Sequence, residues 1–190
     1  MSVSTDTGTT IPASVSGTYT LDPAHTSLGF VARHAMITKV RGSFTDIAGS
    51  ITLDVANPTA SSATLTMQVA SVETGNAQRD EHLRNNDFFD APKFPEITFT
   101  STDVKQTSDT TFDVTGDLTI KDVTKPVTVN WEFTGAATDP FGNDRVGFEG
   151  SATINRKDWG LDWNAPLSAG GVLVSEKITL TLEVSAIKQS

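Results

Sequence analysis

Three histidines, His25, His34 and His82, carry most of the chemical range in this sequence. Asp80 stands two residues before His82, and Arg79 beside it. An imidazole next to a carboxylate can act as a general base, hold a proton or bind a metal. A zinc-type site needs three or more converging ligands, usually with short identifiable spacings. His25 and His34 are nine residues apart on or beside one extended segment, and an odd separation sends side chains to opposite faces of a strand. No metal site is expected. There is also no nucleophile elbow, phosphate-cradling glycine loop or dinucleotide fingerprint. The expectation is therefore that the chain is not an enzyme.

The cluster Arg79-Asp80-Glu81-His82-Leu83-Arg84 admits three uses. Asp22, His25, Arg79, Asp80 and His82 could form structural hydrogen bonds at turns and a helix end. Arg79, His82 and Arg84 could instead face an anionic head group, which the planar guanidinium suits. A hydrolase or isomerase built on His82 with Asp80 or Arg79 is the third. His34 falls on a face expected to be dry, where it contacts either a ligand or a bonded neighbour.

These residues need elements to position them, and the dominant pattern is alternation, the period-2 mark of a strand with one apolar face. Leu28, Phe30, Ala32 and His34 share a face opposite Arg33. Ile51, Leu53 and Val55 alternate with Thr52 and Asp54. Ala63, Leu65, Met67 and Val69 interleave with Thr64, Thr66 and Gln68, and Ile97 and Phe99 flank Thr98. Further on, the apolar series are Phe112 to Ile120, Val127 to Phe133, Phe148 to Ile154 and Ile178 to Val184, each with polar residues between. Thr fills many outer positions because its branched side chain suits a solvated pleat. Turns are marked by Asn57-Pro58, Ser108-Asp109, Asp139-Pro140 and Gly142-Asn143. One helix is predicted, from Asn76 to Asp87, with Asn76 as its cap.

Eight or nine such strands must cover a continuous apolar face by pairing two sheets or by closing one sheet on itself. Several runs reach about ten residues, longer than the usual 5–6, which favours an all-β antiparallel barrel over a sandwich. The expected inward positions include Ala32, Ala63, Gly116, Gly150 and Ala152, all small. They either leave a channel or make room for large neighbours. An inverted barrel in a membrane has the same alternation, but aromatics are only 7% and form no girdles.

The balance of 14 basic and 23 acidic residues gives a net charge of −9. That excludes a nucleic-acid partner and argues against anionic membrane surfaces and stable insertion. With no cysteine, disulfides and thiolate chemistry are excluded. The first sixteen residues, half Ser and Thr, read as a disordered tail preceding a domain from 17 to 190. They lack the basic start and apolar run of a signal peptide, so the chain as written is expected in the cytoplasm.

Four blocks carry a resemblance: Leu21–Phe44, Arg79–Ser101, Val114–Val129 and Ile154–Trp163. The second, an Arg-Asp-x-His-Leu run followed by Asp-Phe-Phe and a Pro before Ile-x-Phe, is the most specific. Together they closely resemble the YceI-like family of polyisoprenoid-binding, lipocalin-like barrels. Thr26 departs from it, standing where the family commonly has Ser. The resemblance implies an elongated eight-stranded barrel with a helical insertion, holding a polyisoprenoid, isoprenoid quinone or similar amphiphile in its bore. It also implies periplasmic or secreted relatives and, by analogy, a homodimer. No cofactor is required beyond the bound lipid.

Within that frame the expected ligand-binding positions are Leu28, Phe30, Ala32, His34 and Met36 on the first long strand and its turn. Leu65, Met67, Phe99, Leu118, Ile120, Val129, Trp131 and Ile154 follow on later strands. Phe88 and Phe89 plug or guard one end, and Trp159 and Trp163 form a wall or rim. A filled barrel acting as a stress-related interaction module is the alternative to carriage.

Overall fold

The protein is described by a computed structural model over residues 10–168 and 170–189. In chain order the strands are β1 (Gly17–Leu21), β2 (Ser27–His34), β3 (Thr38–Phe44), β4 (Ile47–Leu53), β5 (Ser62–Gln68) and β6 (Val72–Glu73). The helix α1 (Ala77–Arg84) follows. The remaining strands are β7 (Glu96–Gln106), β8 (Thr111–Ile120), β9 (Val123–Thr138), β10 (Asp144–Asn155) and β11 (Lys177–Lys188).

All pairings are antiparallel, in the order β1-β4-β5-β7-β8-β9-β10-β11, and β11 pairs back onto β1. This is the closed eight-stranded barrel that the alternation predicts. β11 divides its free edge between two partners. Its end pairs with β1 (Tyr19 opposite Lys188), while its earlier half pairs with β2 (Leu180 opposite Phe30). β3 and β6 extend from β2.

The inward faces meet in one cluster that includes Tyr19, Leu28, Phe44, Leu65, Phe99, Leu118, Val129 and Phe148. The outward faces are polar, with Thr115 against Thr128 (2.7 Å) and Asn130 donating to Asp113 (3.0 Å). The apolar side therefore faces the axis, which removes the inverted arrangement.

Local chemistry explains the ends. Asn76 caps α1 by accepting from the Arg79 backbone N–H (3.0 Å), as expected, and the helix closes at Asn85 rather than running to Asp87. Among the described residues it is the single α-helix, and no helix is long and apolar enough to cross a membrane. Thr26 fills the family's serine position in kind. Its hydroxyl donates to the Ser185 carbonyl (3.0 Å) and accepts from the Ser185 N–H (3.1 Å), fastening the turn to β11.

One expectation is corrected here. Residues 1–9 lie outside the described residues, but 10–16 do not form a loose tail. Ala13–Val15 is a 3-10 turn, Val15 is buried, and its carbonyl accepts from the Tyr19 hydroxyl (2.8 Å). Ile11 and Val15 supply the apolar anchors that the surrounding Ser and Thr obscured.

Candidate ligand cavity

β2, β5, β8 and β10 all finish at one end of the barrel, where β7, β9 and β11 begin, and a cavity of about 570 Å³ lies there. Fifteen of the seventeen apolar and histidine positions expected from sequence line it, all but Met36 and Trp159. The floor is strand-borne: Leu65, Met67, Ile97, Phe99, Leu118, Ile120, Val129, Trp131 and Ile154. α1 and the segment after it contribute Arg79, His82, Phe88 and Phe89, and Trp163 completes the rim. His34 and Arg33 line the cavity yet remain exposed, so it reaches the surface beside the β2–β3 hairpin.

The rim is an aromatic cluster. The His82 ring meets Trp163 edge-on at 4.6 Å and Phe88 at 5.0 Å, and Phe88 lies 5.3 Å from Trp163. His82 Nε2 is 2.9 Å from the Asp87 carboxylate, which sets its orientation. The expected pairing of His82 with Asp80 does not occur. Asp80 is buried and accepts from both the Thr74 N–H (2.8 Å) and the Thr74 hydroxyl (2.5 Å). Arg79 Nε donates to that same hydroxyl (2.7 Å), and its Nη2 donates to the Thr74 carbonyl (2.7 Å). Arg79 and Asp80 thus fix the loop before α1, and Arg79 also borders the cavity. A His82/Asp80 catalytic dyad is excluded by this geometry.

Three other expectations change. Met36 sits at the hairpin tip, 60% exposed, with its side chain away from the cavity. Trp159 is 2% exposed and donates from Nε1 to the Leu118 carbonyl (2.9 Å), so it braces the wall from within the core. Arg84 donates to the Ala70 and Val72 carbonyls (2.9 and 3.2 Å), tying α1 to β6 instead of facing a head group.

The inward glycines Gly116 and Gly150 do not open the channel, whereas Ala32 lines the large cavity and Ala63 the small one. A Cβ placed on Gly116 would lie 2.4 Å from the Phe99 ring, one on Gly150 2.5 Å from Trp131, and one on Gly42 2.4 Å from Phe30. Each glycine is the seat of a neighbouring strand's ring. Phe99 and Trp131, with Leu65, also border a second apolar space of about 90 Å³ at the far end, lined by Leu53, Val55, Val104 and Phe112. These three side chains therefore divide the bore into a large chamber and a small one.

Sequence reasoning missed Arg156. It is 4% exposed and lines the cavity. Its guanidinium donates to the carbonyls of Ser175 (2.9 Å), Leu161 and Val174 (3.3 Å). Burial lowers its pKa, opposed by the negative charges of Glu176 and Asp162. An Arg between Asn155 and the Lys157-Asp158 pair reads as solvated; only the apolar loop that folds over it distinguishes it. With Arg33 and Arg79 it makes three cations on a cavity whose lining contains no carboxylate.

A conserved-domain description, the YceI-like domain, matches residues 19–186. The chain belongs to the YceI-like family. A UPF0312 protein of Pseudomonas paraeruginosa is 40% identical over 165 residues, covering 87% of this chain and 83% of that one. The crystal structure of a Campylobacter jejuni YceI protein is 33% identical with a TM-score of 0.72, covering 90% of this chain and 97% of the other. A polyisoprenoid-binding domain from Saccharophagus degradans shares the fold at 16% identity and a TM-score of 0.69, covering 90% and 98%.

Proposed function

We propose that this YceI-like barrel binds a long-chain hydrophobic ligand, a polyisoprenoid or isoprenoid quinone, for storage or transport and without chemical change. The large apolar chamber is the observation that carries this reading. Each buried methylene contributes about 0.8 kcal/mol, so a chain filling the chamber gains many kcal/mol before ordering costs are subtracted. Such a ligand needs depth and apolar walls more than polar contacts. Its polar head belongs at the rim, where Arg33, His34 and Arg79 line the cavity, His82 is held by Asp87 (2.9 Å), and the lining itself contains no carboxylate. The kinship in fold with a polyisoprenoid-binding domain supports the same reading.

The test is organic extraction of purified full-length protein followed by mass spectrometry, with a titration of added isoprenols alongside. A stoichiometric long-chain compound, or saturable uptake of added chains, is expected. Protein that is repeatedly empty and also refuses added isoprenoids refutes the proposal.

A further inference from the structure

The β2–β3 hairpin has two properties unlike the rest of the molecule. From Pro23 to Thr45 the chain has no acidic residue, although 23 occur elsewhere, and it holds Arg33, Lys39 and Arg41. All three are exposed, and among the described residues no carboxylate lies within 4 Å of them. At the tip, Met36 and Ile37 are 60% and 78% exposed. Arg33 and Lys39 face each other across the ladder just below. Beyond Val31, where the β11 ladder ends, Leu173–Ser175 continues the edge (Ser175 N–H to the Arg33 carbonyl, 3.0 Å; Ala35 N–H to the Leu173 carbonyl, 2.7 Å), so the exposed part of the hairpin is its tip and the β3 side.

The turn is built against local preference. Ala35 and Met36 have φ of 53° and 62°, and the Ile37 N–H donates to the His34 carbonyl (3.0 Å). This is the two-residue hairpin turn for which Asn-Gly is strongly favoured. Side chains with a Cβ are strained at both positions. The same left-handed pair recurs at Lys121–Asp122, where both residues are polar, so what sets the β2–β3 tip apart is the exposure of Met36 and Ile37.

We propose that this hairpin tip docks the protein on an anionic lipid bilayer, with Met36 and Ile37 entering the interface and Arg33, Lys39 and Arg41 meeting the head groups. The hairpin borders the large chamber through Ala32, His34 and Val40, so docking sets the cavity entrance against the membrane. The purpose of docking rests on the carrier reading; the hairpin's chemistry does not. A net charge of −9 opposes a bilayer only over distances that salt leaves unscreened, and the Debye length is about 8 Å at physiological ionic strength. Of the acids on elements around the entrance, Asp87 pairs with His82 (2.9 Å), Glu176 with Lys157 (3.0 Å) and Glu81 with Arg84 (3.9 Å), while Glu73, opposite Ser43 of β3, has no such partner among the described residues. Asp162, beside Trp163, has no such partner among the described residues.

The experiment is co-sedimentation of the full chain with vesicles of phosphatidylglycerol and phosphatidylethanolamine, against vesicles of phosphatidylcholine alone. Binding is expected to the anionic vesicles and to weaken as salt is raised. Lys39→Glu and Arg41→Glu should each lower the partition coefficient by roughly fivefold or more. Ile37→Asp should lower it by on the order of tenfold. Phe141→Asp, at an 88% exposed turn on the opposite end of the barrel, should leave it unchanged. The double variant Ala35→Asn, Met36→Gly separates docking from folding, because it should melt at a higher temperature yet bind vesicles less. Equal binding to both vesicle types, no loss in the tip variants, or an effect of the tip on self-association alone overturns the proposal. Protein that still takes up isoprenoids but ignores vesicles defeats docking and leaves carriage standing.

Discussion

Removing the Phe99 ring should lengthen the chain that the barrel accepts. Phe99 lies over Gly116 and, with Leu65 and Trp131, separates the 570 Å³ chamber from the 90 Å³ one. A chain carbon takes about the space of a water in the liquid, ~30 Å³. On that scale the large chamber holds roughly nineteen carbons, or about four isoprene units, and the small one about three carbons more. Wild-type affinity should therefore climb from geranyl through farnesyl to geranylgeranyl ligands and then level off, since further units remain in solvent.

In Phe99→Ala the partition opens. Three more buried carbons at ~0.8 kcal/mol each amount to about 2.4 kcal/mol, close to a fifty-fold gain for the geranylfarnesyl over the geranylgeranyl ligand. The substitution itself destabilises the fold by about 3–5 kcal/mol, as ring-to-methyl changes in cores do, so melting must be recorded first. Phe99→Leu is the milder alternative if the fold is lost. Calorimetric titration across the chain-length series gives the break point directly. A wild-type series that keeps gaining affinity at the same rate past geranylgeranyl, or a variant whose break point does not move, refutes the partition.

Three further outcomes follow from the packing. Arg145 donates to Asp22 (2.6 Å) and Asp139 (2.7 Å), holding both carboxyls below their ordinary range; His25 at 2.8 Å adds to the effect on Asp22. Depressed carboxylates contribute stability above their unfolded pKa near 3.9. Melting temperature should therefore fall as pH drops through and below about 4, and Arg145→Met should flatten that part of the profile. Gly150→Ala places a methyl 2.5 Å from the Trp131 ring. It should cost about 1–3 kcal/mol, seen as a melting point lower by roughly 2–12 °C. Arg156→Met leaves the Leu161, Val174 and Ser175 carbonyls without that donor. A loss of about 3 kcal/mol or more is expected, with faster hydrogen exchange in residues 161–175 but not in β8.

The barrel was legible because alternation is imposed one strand at a time. Phe112 to Ile120 and Val127 to Phe133 declare their buried faces without reference to any partner. The helix start at Asn76 was legible for the same reason, since a cap is a contact over three residues. The errors involve residues whose environment is set outside the pattern of their own strand or helix. Met36 continues the phase of Leu28, Phe30 and Ala32, but the strand turns at Ala35, and two left-handed residues swing the side chain outward. Asp80 and His82 are neighbours on α1, yet Thr74 takes one and Asp87 the other, because both partners approach from loops outside the helix. Gly116 and Gly150 show the limit most clearly. An inward glycine looks like empty space from within its own strand, whereas the adjacent strand's Phe99 and Trp131 occupy that space. Volume in a barrel is therefore decided by pairs across the register rather than by single residues. The chamber lies at the end where α1 and Leu161, Trp163, Leu173 and Val174 close the barrel with separate side chains rather than with a β-ladder.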